Sequence, residues 1–273
     1  MAPSARRLGL WGPPTSTLDW CEENYEVTFY VAEFWNTVSN LIMILPPLFG
    51  ALQTFRSGLE FRYIFSFLGL AAVGVGSWGF HMTLLYEMQI RVLQAREDCG
   101  ALSHRITVHL QHVRQPGVPA VERACISPGN VWSSGGLFGD AVNLHRHMVS
   151  LTVAACHLWT SRLQPDFPVY FRVYPWLRPL CYASLAIFLL GFLLWNIDNI
   201  FCEQLRASRR VLPPGFGVLT QFHAWWHIFT GLGSYLHILL SLQIRSTYLK
   251  YRAKVKFLCG VWPTLHIEPQ RTS

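Results

Sequence analysis

Four long apolar segments are the feature of this sequence that most constrains its fold. We predict helices at approximately residues 32–55, 63–86, 177–201 and 216–242. Each segment is at least as long as the roughly 20 residues that an α-helix needs to cross a bilayer. Only 14% of the 273 residues are charged, whereas a soluble globular domain carries about 25%. The sequence therefore predicts an all-α fold, a multi-pass transmembrane helical bundle whose helices satisfy their own backbone hydrogen bonds.

The charge distribution indicates orientation in a membrane and not nucleic-acid binding. The formal net charge is +7, but most basic residues lie between or after the apolar segments. The most basic run, residues 250–256, follows the last segment and predicts a cytosolic C-terminus. Residues 1–18 lack the apolar core and cleavage site of a signal peptide. The seven cysteines show neither CxxC nor ferredoxin spacing and so indicate no cysteine metal site.

The last apolar segment carries a stripe of polar side chains. His223 and His227 are four residues apart, which places them on one face of a helix in neighbouring turns. Such a pair can hold zinc, as in zinc hydrolases, or can simply stabilise a helix interface. The same face continues through Thr230, Ser234, His237 and Ser241. Polar groups are costly at membrane depth, so the stripe is expected to face an interior cavity.

A third imidazole lies near the end of the second apolar segment. Alone, His81 could cap its helix or extend toward the membrane surface, but with His223 and His227 it completes a three-histidine zinc site with an open fourth position. His81 lies about 18 residues into its helix and His223 only a few, so parallel helices would separate them by about 20 Å. The two helices are therefore expected to be antiparallel, with an odd number of crossings in residues 91–176.

An acidic cluster directly precedes the first apolar segment. Asp19, Glu22, Asn24 and Glu33 offer hard oxygen ligands of the kind that Ca²⁺ prefers. The alternative is a solvated acidic loop without a metal. With a cytosolic C-terminus and antiparallel helices, this cluster lies on the same non-cytosolic side as the three histidines.

Five motifs in this sequence resemble those of the alkaline ceramidases, in particular those of type 3. The motifs are Thr-Leu-Asp-Trp-Cys-Glu-Glu-Asn-Tyr, Ala-Glu-Phe-Trp-Asn-Thr-Val-Ser-Asn, Gly-Ser-Trp-Gly-Phe-His-Met-Thr-Leu, Phe-Leu-Leu-Trp-Asn-Ile-Asp-Asn-Ile-Phe-Cys and Gln-Phe-His-Ala-Trp-Trp-His. The resemblance covers roughly residues 8–90 and 173–270.

The resemblance implies a single seven-helix intramembrane hydrolase over residues 1–273. Its substrate would be the ceramides, including phytoceramide or dihydroceramide, cleaved at the amide to a sphingoid base and a free fatty acid. The family implies zinc dependence, stimulation by calcium, and residence in the endoplasmic reticulum and Golgi membrane with a lumenal N-terminus. Neither a nucleic acid nor an obligate protein partner is expected.

The resemblance also assigns individual residues. The family's zinc ligands correspond to His81, His223 and His227, and its catalytic serine corresponds to Ser77. Its disulfide corresponds to Cys21 and Cys202. Its calcium ligands correspond to Asp19, the carbonyl of Trp20, Glu22, Asn24 and Glu33.

One segment departs from the family pattern. The family's third helix carries a catalytic aspartate in its first turn, but Val92 occupies that position here, and residues 91–172 match neither the family's composition nor its motifs. Two alternatives therefore accompany an active ceramidase. One is a catalytically impaired product of an aberrant exon or reading frame. The other is a receptor-like lipid sensor of the same superfamily, although the calcium motif and the Ala-Trp-Trp spacer favour a ceramidase.

Overall fold

The computed structural model describes residues 8–90, 177–213, 215–248, 252–258 and 262–268. All of them belong to one compact unit. Val92 and the crossings expected within residues 91–176 lie outside the described residues. The single domain over residues 1–273 stays a prediction.

The described residues are mostly helical. Helices and strands follow in the order α1 Phe34–Ser39, α2 Leu41–Arg56, α3 Phe61–Thr83, α4 Leu177–Ile200, α5 Cys202–Val211, a 3₁₀ helix Phe216–Thr220, α6 Phe222–Tyr248, β1 Arg252–Leu258 and β2 Trp262–Glu268. Three helical stretches among them are long and apolar enough to cross a membrane, namely Phe34–Arg56, Phe61–Thr83 and Arg178–Ile200. The predicted multi-pass helical fold is confirmed.

The first predicted helix is interrupted at Asn40. In a regular helix the Asn36 carbonyl would accept the backbone N–H of Asn40, but here it accepts the side chains of Asn40 (2.8 Å) and Ser39 (2.9 Å). The Asn40 N–H donates instead to the Thr37 carbonyl, 3.2 Å away. Side-chain competition of this kind disturbs a helix. Pro46 and Pro47 lie inside α2 and not at the interruption.

The second helix ends at Thr83, three residues before the predicted end at Tyr86. Leu84 adopts a left-handed conformation with φ 51°, which terminates α3. Its side chain is fully buried, and its carbonyl accepts the N–H groups of Thr15 and Ser16 at 3.1 and 3.0 Å. Tertiary contacts with the N-terminal segment therefore fix this helix end.

The last two described segments form an antiparallel hairpin, which the all-α prediction does not include. Strands β1 and β2 pair with Arg252 opposite Glu268. The hairpin contacts α6, where the Tyr235 hydroxyl donates to the Pro263 carbonyl at 3.1 Å. The alternation of apolar and polar residues from 253 to 257 is typical of a strand, but the basic residues there were interpreted only as a topology signal.

Contacts at two levels show that α3 and α6 are antiparallel, as predicted. Near the start of α3, the Tyr63 hydroxyl donates to the Ser241 carbonyl at 3.2 Å, late in α6. Near the end of α3, the ring centroids of His81 and His223 are 5.1 Å apart, at the start of α6. The direction of α6 therefore brings the histidines of both helices to one end of the bundle.

Two glycines allow α3 and α6 to pack closely against Met43 of α2. A Cβ atom at Gly74 would lie 2.9 Å from the Met43 Cβ, and one at Gly231 would lie 2.5 Å from the Met43 Cγ. Neither approach is possible with a larger residue unless the helices move apart. Small residues therefore set the helix spacing that the histidine cluster requires.

Candidate metal centre

Three imidazoles meet at one buried point. His81 lies in the last turn of α3, and His223 and His227 lie in the first turns of α6. One ligand nitrogen of each residue lies within 4.8 Å of the other two, and all three residues are at most 3% exposed. Within the described ranges, this is the one cluster of three His, Cys, Asp or Glu side chains that could hold a metal ion.

Two of these histidines have a hydrogen-bond partner on Nδ1. His81 Nδ1 lies 2.5 Å from Glu33 Oε2, and His227 Nδ1 lies 2.9 Å from Ser39 Oγ. Metal-ligating histidines almost always bond their second nitrogen to a carboxylate or another oxygen, which fixes the ring orientation. The surroundings of His81 and His227 therefore suit a metal held through their Nε2 atoms.

The third histidine has an unsatisfied nitrogen. His223 Nδ1 is buried without a hydrogen-bond partner among the described residues. Its ring stacks on Trp20 with a centroid distance of 4.0 Å and an interplanar angle of 22°. Buried polar atoms are nearly always satisfied. A metal ion would supply the interaction that the His223 ring lacks, so the residues present fit one.

Ser77 lies beside this cluster, one turn before His81 on α3. Its Oγ is 3.5 Å from His227 Nε2, the nitrogen on the cluster side of that ring. The residue is only half-buried. A hydroxyl in this position can donate a hydrogen bond to a molecule held near the three imidazoles.

The acidic residues lie in and around the loop that covers the histidines. The Glu22 carboxylate accepts the N–H groups of Trp35 (2.7 Å) and Asn36 (2.8 Å), at the start of α1. Such a position is favourable, since the N-terminal end of a helix carries a partial positive charge. Glu33 Oε1 accepts the Trp20 N–H at 3.1 Å, and its other oxygen bonds His81. Glu33 thus joins the acidic loop directly to the histidine cluster.

Burial disfavours the ionised form of the acidic side chains. It raises the pKa of Asp19, and together with the nearby Glu33 charge it raises the pKa of Glu22 to about 8. Burial and the charge of Asp19 raise the pKa of Glu33 well above its usual range. A bound cation would reverse these effects.

The predicted calcium ligands do not converge as the histidines do. The Trp20 carbonyl accepts a hydrogen bond from Arg206 Nη2 at 3.0 Å. Asn24 donates to Asp19 Oδ1 at 3.3 Å, while the Asn24 Oδ1 is buried without a partner among the described residues. A carbonyl oxygen has two lone pairs, so Trp20 and Asn24 each keep an acceptor available for a cation.

The acidic loop is anchored to the end of α4 and to α5. Cys21 and Cys202 are joined by a disulfide, with Cα atoms 5.2 Å apart. Arg206 Nε and Arg209 Nη1 both donate to the Cys21 carbonyl, at 3.1 and 2.7 Å. These arginines lie on the side predicted to be non-cytosolic, where positive charge is unusual, and their contacts with the loop account for their presence.

Several contributors to the site were not singled out from the sequence. Ser39 is not among the residues predicted from the sequence, although it lies within the first predicted helix. Asp198 was likewise not among the predicted residues. The side chains of its neighbours Asn196 and Asn199 donate to the carbonyls of Phe192 and Trp195 in their own helix. The position of Asp198 four residues before Cys202, the expected disulfide partner of Cys21 in the acidic loop, was the available signal.

Comparison with known proteins agrees with the motif resemblance. The family model described as "Ceramidase" matches residues 12–91 and 141–270. The match resumes at residue 141, so the atypical segment is shorter than the predicted 91–172. The mouse protein "Alkaline ceramidase 3" is 50% identical, with 99% of each chain covered. "Alkaline ceramidase YPC1" of Saccharomyces cerevisiae is 30% identical over 94% of this chain and 85% of its own length.

Proposed function

The chain belongs to the ceramidase family, and on that premise we propose that it hydrolyses the amide bond of ceramides in a membrane. The products are a sphingoid base and a free fatty acid, and phytoceramide or dihydroceramide are the substrate variants to test first. The observation that carries the proposal is the meeting of His81, His223 and His227 at one buried point, with the Ser77 hydroxyl beside them.

We assign zinc as the ion that the three histidines hold. Three imidazoles with an open fourth position are the donor set of catalytic zinc sites. When bound, zinc supplies Lewis-acid activation of water and of the amide carbonyl. Glu33 and Ser39 orient the rings of His81 and His227 through their Nδ1 atoms. Ser77 donates a hydrogen bond to the carbonyl oxygen of the substrate as negative charge develops there.

Replacing Ser39 with Ala is expected to weaken zinc retention about tenfold, because loss of an outer partner typically lowers metal affinity 10- to 100-fold. Chelator competition measures the change. Ser246→Ala is the matched control, since Ser246 is a buried serine that bonds only the Leu242 carbonyl of its own helix. Equal zinc affinity in Ser39→Ala and the parent protein would rule out an orienting role for this hydroxyl.

We further propose that Asp19, the Trp20 carbonyl, Glu22, Asn24 and Glu33 bind calcium. The raised pKa values of the three acids and the unsatisfied Asn24 oxygen support a cation at this loop. Glu33 also bonds His81, so calcium would brace the wall of the zinc site and stimulate turnover. The ion has to draw these oxygens closer together than they lie in the structure.

Asp19→Asn is expected to raise the calcium concentration for half-maximal stimulation about tenfold, since calcium affinity depends on the charge of the ligand set. Asp19 is the informative position because its side chain bonds only Asn24 among the contacts of the described residues. Glu23→Gln is the control, because Glu23 belongs to the same loop but is outside the ligand set and forms a long 3.8 Å ion pair with Arg210. Identical calcium titrations for Asp19→Asn and the parent protein would refute the calcium site.

We also propose residence in the endoplasmic reticulum and Golgi membrane, with a lumenal N-terminus and a cytosolic C-terminus. The disulfide between Cys21 and Cys202 supports an oxidising compartment on the side of the metal centre. The basic residues at 250–256 support a cytosolic tail.

The test of the proposed function is ceramide hydrolysis by detergent-purified protein, with zinc content and calcium dependence measured in the same sample. Zinc together with turnover supports the ceramidase. Zinc without turnover favours the receptor-like lipid sensor. Absence of both zinc and turnover favours a catalytically impaired product. Val92 and the 92–140 segment outside the family match are the reason for considering that outcome.

A further inference from the structure

The carboxylate of Asp198 connects two parts of the metal centre. Asp198 lies in the last turns of α4 and is 1% exposed. Its Oδ1 accepts the backbone N–H of His223 at 3.3 Å, and its Oδ2 accepts the backbone N–H of Cys21 at 3.4 Å. The two partners belong to the metal-facing helix and to the acidic loop.

The first hydrogen bond acts at the start of α6. The helix begins at Phe222, so the N–H of His223 has no acceptor within the helix. A carboxylate at this end of a helix satisfies the free N–H and interacts favourably with the helix dipole. Asp198 thereby fixes the backbone of the residue whose imidazole completes the cluster.

The second hydrogen bond acts on the same imidazole indirectly, through Trp20. It holds Cys21, and the preceding residue, Trp20, stacks on the His223 ring at a centroid distance of 4.0 Å. Arg209 interacts electrostatically with Asp198 and donates to the Cys21 carbonyl at 2.7 Å. Both oxygens of one carboxylate therefore act on His223, one through its backbone and the other through the ring that covers it.

We propose that Asp198 is a positioning residue for the metal centre, which holds the His223 imidazole in register with His81 and His227 without binding metal or substrate itself. The proposal rests on the proposed zinc site. His223 is the ligand that most needs such support, because its ring has no hydrogen bond among the described residues like those that Glu33 and Ser39 make with the other two rings.

The test compares zinc affinity and stability in Asp198→Asn, Asp198→Ala and the control Asn199→Ala. Asn199 is the next residue of α4, and its side chain donates only to the Trp195 carbonyl. Chelator competition is expected to show zinc affinity lowered by 10- to 100-fold in Asp198→Ala, by analogy with losses of other groups that orient ligands. A smaller loss is expected in Asp198→Asn, which keeps one acceptor oxygen and the shape of the side chain. Asn199→Ala should bind zinc as the parent protein does.

The outcomes separate the two proposals. If the parent protein and His81→Ala hold equally little zinc, the proposed zinc site fails, whatever Asp198 does. If the parent protein binds zinc and both Asp198 variants bind it equally well, the positioning role is overturned, even if their thermal midpoints fall. Asn has the same shape as Asp, so Asp198→Asn is the variant to measure if Asp198→Ala does not fold. At saturating zinc, the folded Asp198 variants should recover most of the kcat of the parent protein, with KM unchanged. A general packing defect would not produce this recovery.

Discussion

Replacing His81 with Ala is expected to remove the bound metal and to lower ceramide turnover at least about 10³-fold. The two remaining imidazoles, His223 and His227, are too few to retain a catalytic ion that needs three protein ligands. Lewis-acid stabilisation contributes several kcal/mol, and each 1.36 kcal/mol corresponds to a factor of ten in rate. Zinc content and initial rates of fatty acid release, measured on the same purified protein, check the prediction.

The matched control for His81→Ala is His237→Ala. His237 belongs to the polar stripe of α6, but it lies outside the cluster of three imidazoles. The control should keep its zinc and its activity. If His81→Ala hydrolysed ceramide at the parent rate, the proposed mechanism would be wrong, because no other cluster of three such donors exists among the described residues.

The sequence predicted the histidine cluster because periodicity fixes relative positions within a helix. A spacing of four places His223 and His227 on one face, and the demand that His81 share their depth predicted the antiparallel pair α3 and α6. The Tyr63–Ser241 contact confirms that direction. Helical spacing therefore chose two of the eleven histidines in the sequence, and the place of His81 in an apolar segment added the third.

Two of the features that the sequence did not predict depend on partners far along the chain, and a third is local. Asp198 bonds Cys21, which is 177 residues away, and no helical period links the two. The early end of α3 depends on Leu84, whose carbonyl accepts hydrogen bonds from the N-terminal segment. Asn40 interrupts the first helix through its own side chain, a local event that an apolar pattern does not reveal. In each case a specific hydrogen bond determines a feature that the hydrophobic pattern alone does not predict.

The acidic loop and the metal centre form one structural unit. Trp20 covers His223, and Glu33 bonds both the Trp20 backbone and the His81 ring. The disulfide at Cys21 and the contacts of Arg206 hold the loop in place. Any ion that binds the loop would therefore act on the orientation of the imidazoles, which is the physical reason for the proposed stimulation of the proposed zinc site by calcium.

Replacing Ser77 with Ala is expected to lower kcat about 10²- to 10³-fold, the effect of removing one donor to a developing oxyanion. The zinc content should not change, because Ser77 is not a metal ligand and the outer partners of the histidines remain. KM should change little, since the hydrogen bond strengthens mainly in the transition state. Steady-state kinetics on zinc-loaded protein measure both parameters.

Ser66→Ala controls for loss of a hydroxyl from the same helix. Ser66 is exposed on α3, and its Oγ donates to the Arg62 carbonyl, so its removal should leave kcat unchanged. A Ser77→Ala variant with full kcat would exclude the hydroxyl from the reaction. If Ser77→Ala instead lost its zinc, the 3.5 Å contact between the Ser77 Oγ and His227 Nε2 would have the role of holding the imidazole. Zinc measurement beside kcat therefore decides whether Ser77 acts on the substrate or on the metal site.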